Sequence, residues 1–167
     1  VRTQIYTNWE MVIVDDASSD TTVDILKKYA ALDDRIKFSV LETNAGAAVA
    51  RNTAIEKATG TYIAFLDADD LWMPEKLTKQ IDFMQKEDIQ VCFSSYELMD
   101  ESGKSLGKMV KALPKVDFSK MLKSNYVGNL TGIYNAETLG KVYMPNIRKR
   151  QDWALWLALI KKVGHAY

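Results

Sequence analysis

The sequence predicts an α/β fold in which a mostly parallel, doubly wound (Rossmann-like) sheet is flanked by helices. Short apolar runs alternate with segments of helical periodicity through most of the chain, as in a series of βαβ units. Two of those runs, residues 9–14 and 61–66, pass directly into carboxylates. Because ligands of open α/β sheets bind at the carboxyl ends of the strands, we expect a binding site at this edge.

The order of the elements follows from apolar periodicity and from turn residues. Ser19 or Asp20 can cap the first helix. Further along, Leu77, Ile81 and Met84 recur at helical spacing and predict a helix face that packs in the core. Predicted strands lie at 9–14, 36–41, 61–66, 89–96 and 128–134, a turn at 44–46 and a hairpin turn at 100–103. Predicted helices lie at about 21–31, 47–55, 74–86, 118–122, 135–140 and 153–160.

Composition narrows the function classes. A chain of 167 residues with 47% hydrophobic and 26% charged residues is predicted to form one soluble domain, spanning 1–167. Its net charge of zero gives no indication of a nucleic-acid partner. The single cysteine, Cys92, excludes an internal disulfide and fits a reducing compartment, and the single histidine, His165, excludes a His-rich metal site. Any metal must therefore be held by oxygen ligands.

Three carboxylates within four positions follow the apolar run at 61–66, namely Asp67, Asp69 and Asp70. Carboxylates at such spacing repel one another, and a divalent cation would remove the conflict. Mg²⁺ and Mn²⁺ prefer oxygen ligands of this kind. In the alternative interpretation, Asp69 or Asp70 caps the following helix and complements its dipole.

Two further charged residues stand in unusual surroundings. Arg51 is the only charge between Glu42 and Glu56, on a helix of small residues, so it needs a carboxylate or a phosphate as partner. Asp152 follows a basic run and begins a helix that is apolar nearly all round. It can cap that helix or face a cleft.

Four segments in order resemble family-two inverting, metal-dependent glycosyltransferases with the A-type (nucleotide-diphospho-sugar transferase) fold. They are Val-Ile-Val-Asp-Asp-Ala-Ser-Ser-Asp at 12–20, Asn-Ala-Gly at 44–46 with Ala-Arg-Asn at 50–52, Leu-Asp-Ala-Asp-Asp at 66–70, and Gln-Asp-Trp at 151–153. Each segment alone is a weak signal, but together they cover essentially the whole chain.

The resemblance implies a role for five residues. Asp16 would accept a hydrogen bond from the nucleotide base, usually uracil, and Arg51 would approach the nucleotide or its phosphates. Asp67, the first acidic residue of the D-x-D motif, would contact ribose. Asp69 would coordinate Mn²⁺ or Mg²⁺ bridging the diphosphate, and Asp152 would be the general base.

The implied reaction transfers a sugar from a nucleotide-diphosphate donor, with a UDP-sugar expected, to a hydroxyl group with inversion. The acceptor would be a saccharide or a lipid-linked saccharide in bacterial surface polysaccharide synthesis. The expected location is the cytoplasm, with the inner face of the membrane as the place where a lipid-borne acceptor is met. Trp153 can stack on an acceptor sugar, whereas Trp156 is expected in the core. The lysines at 108, 111, 115 and 120 either contact the membrane or form a solvated face.

The chain departs from the family pattern in two places. Gln151 stands where the family commonly has Glu, and the opening apolar strand with its Pro-x-Tyr turn is absent. We therefore expect a domain that lacks its first strand and is truncated at the N-terminus, with truncation at the C-terminus left open. The sequence gives no oligomeric state.

Two other functions compete with this interpretation. A catalytically inactive nucleotide-sugar-binding module would explain Gln151 and the absent strand. A phospho-receiver signalling domain would explain the acidic pair Asp15-Asp16 and would use Asp70 as phospho-acceptor. The receiver leaves residues 44–52 and Asp152 unexplained and lacks the expected Lys-Pro pair.

Overall fold

The computed structural model describes residues 1–167. A 3₁₀ helix spans Asn129–Thr131. The strands are β1 (Met11–Asp15), β2 (Ile36–Val40), β3 (Tyr62–Ala64), β4 (Val91–Cys92), β5 (Tyr96–Met99), β6 (Ser105–Val110), β7 (Val116–Asp117), β8 (Ile133–Asn135) and β9 (His165–Ala166), and the α-helices are α1 (Thr22–Leu32), α2 (Ala47–Lys57), α3 (Lys76–Lys86), α4 (Phe118–Met121), α5 (Ala136–Leu139) and α6 (Gln151–Val163).

The strands confirm the α/β class, but the pairing is mixed and not mostly parallel: only β1–β2 is a parallel pair, whereas the pairs β3–β8, β4–β8, β5–β6 and β7–β9 are antiparallel. Strands β1 and β2 pair in parallel, from Met11 opposite Ile36 to Asp15 opposite Val40. Strand β8 lies between β3 and β4 and is antiparallel to both, so β3 and β4 run in the same direction. The predicted strand at 89–96 is divided between β4 and β5, and β5 and β6 form the predicted hairpin.

A groove of about 1600 Å³ separates β1 from β3, and no strand pairing joins them. At the end of the groove where β1 and β3 begin, Glu10 connects the two sides. Its carboxylate accepts hydrogen bonds from the Thr59 and Gly60 amides at 2.5 and 3.1 Å. The carboxyl ends of both strands meet the groove at its other end, where Asp16 and Asp67 are among the lining residues.

The core packs against the sheet that β3, β4 and β8 form. Helix α6 buries Trp156 completely, and Phe65 meets its ring edge-on at 5.9 Å between centroids. A Cβ on Gly132 would lie 2.2 Å from the Trp156 ring, so only glycine fits there. The core role expected for Trp156 is confirmed. Helix α3 packs Leu77, Ile81 and Met84 into a second cluster that includes the Cys92 thiol, also as predicted.

None of these helices has both the length and the apolar character required to cross a lipid bilayer.

Candidate active site

The first part of the site is the loop after β1. Both carboxylate oxygens of Asp16 accept backbone hydrogen bonds, from the Ala45 amide at 2.7 Å and the Gly46 amide at 2.8 Å. Asn44 donates to the Asp16 carbonyl at 3.2 Å. Gly46 precedes α2 with φ of 90°, a conformation that glycine adopts without strain. Asp16 therefore ties the end of β1 to the start of α2 at the rim of the groove.

Helix α2 then places Arg51 against the loop after β3. The Arg51 guanidinium donates to Asp67 Oδ1 at 2.6 Å. The sequence predicts either a carboxylate or a phosphate as the partner of Arg51, and in the structure the partner is the Asp67 carboxylate. The pair lines the groove together with Asp16 and Asp70, so residues from the ends of two separate strands and from one helix meet there.

The carboxylates after β3 crowd one another, as their spacing predicts. Partial burial raises the pKa of Asp70, and the charges of Asp67 and Asp69 raise it further. The Asp70 amide donates to the Asp67 carbonyl at 3.1 Å, which closes this loop into a tight turn. Asp69 is exposed and makes no hydrogen bond or ion pair. Since α3 begins only at Lys76, with Glu75 as N-cap, neither Asp69 nor Asp70 caps it, and that alternative is wrong.

The residues fit a divalent cation in part. The groups here are carboxylates, the hard oxygen donors that Mg²⁺ and Mn²⁺ prefer, and Asp69 has both oxygens free. No three acidic, histidine or cysteine side chains converge into a ready-made metal site. An ion at Asp69 would thus need further oxygen ligands from water or from a bound diphosphate.

The 3₁₀ helix adds a residue that sequence reasoning missed. The side-chain NH₂ of Asn129 donates to Asp67 Oδ1 at 3.4 Å, and the side-chain oxygen Oδ1 of Asn129 is buried without a partner. The turn is held from several sides, because Trp72 donates to the Leu130 carbonyl at 2.8 Å and Gln80 to the Thr131 carbonyl at 2.9 Å. In the sequence, Asn129 is a polar residue between Gly128 and Gly132, and that pattern indicates a turn but not a binding site.

The last part of the site is the start of α6. Its N-cap is Arg150, in a left-handed conformation with φ of 64° and no side-chain capping bond, so Asp152 does not cap the helix. Asn125 donates to Asp152 Oδ2 at 3.3 Å. The Trp153 indole donates to the Met121 carbonyl at 2.8 Å, and the Arg150 guanidinium lies 5.2 Å from the centre of its ring.

The structure brings most of the predicted residues together, but not all by direct contact. Asp16, Arg51 and Asp67 line one groove. Asp69 is not among the lining residues, but its charge acts on Asp70, which is. Asp152 and Trp153 do not line the groove. The segment 125–131 connects the two regions, with Asn125 at Asp152 and Asn129 at Asp67.

A family model described as glycosyl transferase family 2 matches residues 1–136. A relative named as a teichuronic acid biosynthesis glycosyltransferase, TuaG, of Bacillus subtilis (strain 168) is 47% identical over 98% of this chain and 65% of its own length. The Escherichia coli protein WfgD, named a UDP-Glc:α-D-GlcNAc-diphosphoundecaprenol β-1,3-glucosyltransferase, is 39% identical over 95% of this chain and 60% of its own length. The chain thus spans less than two thirds of each of these relatives.

Solved structures share the fold. Residues 1–349 of TarS from S. aureus, solved in complex with UDP, superpose with a TM-score of 0.72 at 27% identity, over 92% of this chain and 46% of that one. The mannosyltransferase PcManGT from Pyrobaculum calidifontis superposes with a TM-score of 0.70 at 19% identity, over 99% of this chain and 47% of that one, and supports the fold alone. The A-type fold expected from the sequence is confirmed, and the chain belongs to glycosyl transferase family 2.

Proposed function

We propose that this chain forms the donor-binding and catalytic part of an inverting glycosyltransferase that uses a nucleotide-diphosphate sugar. The observation that supports this most is the meeting of the two strand ends: Asp16 after β1 and the Arg51–Asp67 pair after β3 line one groove. A receiver domain gives no reason for that ion pair or for Asp152.

A UDP-sugar is the proposed donor, because TarS was solved with UDP and WfgD is named for UDP-Glc. In this assignment Asp16 accepts a hydrogen bond from the uracil ring and Asp67 accepts from the ribose hydroxyls. Arg51 neutralises Asp67 and so reduces the repulsion between the diphosphate and a groove rich in carboxylates.

Asp69 is the proposed ligand of Mn²⁺ or Mg²⁺. When bound, such an ion acts as a Lewis acid that stabilises the charge on a departing diphosphate. The exposed Asp69 carboxylate is free of protein partners, and a cation beside it would also relieve the repulsion felt by Asp70.

Asp152 is the proposed general base. Its carboxylate takes the proton of the acceptor hydroxyl while that oxygen bonds to the anomeric carbon. The bond from that carbon to the diphosphate breaks on the opposite face, and the diphosphate leaves with the electron pair. A single displacement of this kind inverts the anomeric centre. The preceding residue, Gln151, is uncharged, so Asp152 is the only carboxylate at these two positions.

The proposed acceptor is a saccharide, in free or lipid-linked form, in the synthesis of a bacterial surface polysaccharide. The names of TuaG and WfgD support this class of pathway and, for WfgD, a lipid-linked acceptor. Trp153, which is partly buried, remains a proposed acceptor contact. Of the four lysines considered for membrane contact, Lys115 and Lys120 lie over the rings of Tyr167 and Tyr126, which leaves Lys108 and Lys111 on the exposed β6 region.

The test measures release of UDP from a panel of UDP-sugars, with and without Mn²⁺, for the wild type and for the Asp69→Asn and Asp152→Asn variants. We expect metal-dependent release that either substitution reduces at least about 100-fold, as for loss of a general base. Binding of the donor without any turnover would favour the inactive module. Turnover that survives both substitutions would refute the assignment.

A further inference from the structure

The side chain of Asn125 is aimed at the proposed base by its own hydrogen bonds. The Val127 amide donates to Asn125 Oδ1 at 3.2 Å, which occupies the carbonyl end of the Asn125 amide group. The NH₂ end of that group therefore faces Asp152, and it donates to Oδ2 at 3.3 Å. A reversed amide would place an oxygen against the carboxylate and a second donor against the Val127 N–H, so the observed orientation is the one that electrostatics favours.

Both sides of this contact are fixed to the core. Val127 is completely buried two residues after Asn125, and Asn129 then reaches Asp67 from the turn pinned by Trp72 and Gln80. On the opposite side, the Trp153 indole is bonded to the Met121 carbonyl at the end of α4. The separation of Asn125 and Asp152 is thus set by packed elements, although both side chains reach solvent.

The contact leaves one carboxylate oxygen available. Asn125 bonds Oδ2 alone, and Asp152 has no other protein partner, so Oδ1 can accept the proton of an incoming hydroxyl. The NH₂ donor that Asn125 presents is complementary to a carboxylate oxygen, which is the acceptor that a base requires. The elements around the pair carry Arg150 over the Trp153 ring, Lys120 over the Tyr126 ring, Lys161 over the Phe118 ring, Lys123, and one acidic group, Asp117, which caps α4. None of them pairs with Asp152.

We propose that Asn125 is a positioning residue that holds Asp152 with one oxygen turned toward the acceptor hydroxyl. The inference rests on the proposed role of Asp152 as general base. It assigns the polar end of the segment 125–131 to the reaction, whereas the buried Val127 and the 3₁₀ turn serve to fix it in place.

The Asn125→Asp substitution separates the two roles of the side chain. It keeps an oxygen acceptor for the Val127 amide, and so keeps the turn, but it replaces the NH₂ donor by an oxygen that carries negative charge. Asn125→Ala removes both contacts. The neighbouring Ser124→Ala substitution makes no change at either contact and serves as the matched control.

The experiment records kcat and KM for UDP-sugar against pH for these three variants, together with UDP affinity and melting temperature. For Asn125→Asp we expect at least a tenfold lower kcat, less than a twofold change in KM, and an acidic limb moved to higher pH by about one unit, the shift expected from a neighbouring like charge. Asn125→Ala should move that limb in the same direction by less, and Ser124→Ala should match the wild type.

An acidic limb that stays in place in both Asn125 variants would overturn the inference, whatever happens to kcat or to melting temperature. Failure of the proposed function gives a different result, because Asp152→Asn would then retain turnover. If Asp152→Asn is inactive and the limb does not move, Asp152 remains the base and only the role of Asn125 is lost.

Discussion

The ion pair between Arg51 and Asp67 allows the sharpest quantitative prediction. At 2.6 Å and an effective dielectric constant of about 20, the Coulomb attraction is roughly 6 kcal/mol before desolvation is counted. The side chains are 24% and 35% exposed, so solvent screening removes most of that energy. We expect a net coupling of about 1–2 kcal/mol in the free energy of unfolding, above the value of exposed pairs because α2 and the β3 loop hold both partners.

The assay is a double-mutant cycle of Arg51→Met, Asp67→Asn and the double variant, measured by urea unfolding and by UDP titration. Methionine keeps the apolar stem of the arginine, so packing changes least. Arg51→Met should weaken UDP binding about 5- to 30-fold, which corresponds to the same 1–2 kcal/mol. The exposed pair of Lys27 and Asp24, far less buried, is the control and should couple by at most about 0.5 kcal/mol. Additivity of the Arg51 and Asp67 variants within about 0.3 kcal/mol would refute the reasoning.

Two further predictions concern the frame of the site. Gly132→Ala should lower the free energy of unfolding by about 3 kcal/mol in urea, because the new methyl group meets the buried Trp156 ring; an unchanged urea midpoint would contradict that packing. Burial acts to raise the pKa of Glu10, but hydrogen bonds from Lys37 and Thr59 prevail and lower it from 4.5 to about 2. This contribution to stability is therefore complete above about pH 4.5 and is lost as pH falls toward 2, so Glu10→Gln should flatten the urea stability profile in that interval, and an unaltered profile would count against the bridge.

Local chemistry was sufficient to predict much of this fold. Asn44 and Gly46 lie in the loop that leads into α2, where Gly46 is the N-cap. Asp20 accepts a hydrogen bond from the Thr22 amide, but the N-cap of α1 is Thr21, so the prediction that Ser19 or Asp20 caps this helix is wrong. The apolar run after Asp152 is the buried helix α6. In each case neighbours in sequence determine the structure through hydrogen bonds or periodicity, so a single segment contains the necessary information.

Long-range pairing could not be predicted in the same way. Strand β8 enters the sheet between β3 and β4, although β8 follows β3 by some 70 residues, and no short-range pattern encodes that choice. The sequence does not decide whether Asp152 caps α6 or faces a cleft, because the left-handed backbone of Arg150, which starts α6 without a side-chain cap, has no sequence signature.

The residues of the candidate site also fall into those that local sequence predicts and those that it does not. Asp16, Arg51, Asp67 and Asp69 could be proposed because they belong to segments with a recognisable order of residues. Asn125 and Asn129 could not, since asparagine in an irregular segment indicates only a turn until the structure shows which carboxylate it faces. Both residues act across the fold, from the segment 125–131 to carboxylates on other elements.

The central claim is that strand-end carboxylates bind a nucleotide diphosphate together with a divalent ion held by Asp69. Isothermal titration of UDP, with and without Mn²⁺, tests it most directly when the wild type is compared with Asp69→Asn and with Asp152→Asn. We predict that Mn²⁺ tightens UDP binding in the wild type and in Asp152→Asn, and that Asp69→Asn abolishes this tightening. Equal tightening in Asp69→Asn and the wild type would contradict the claim.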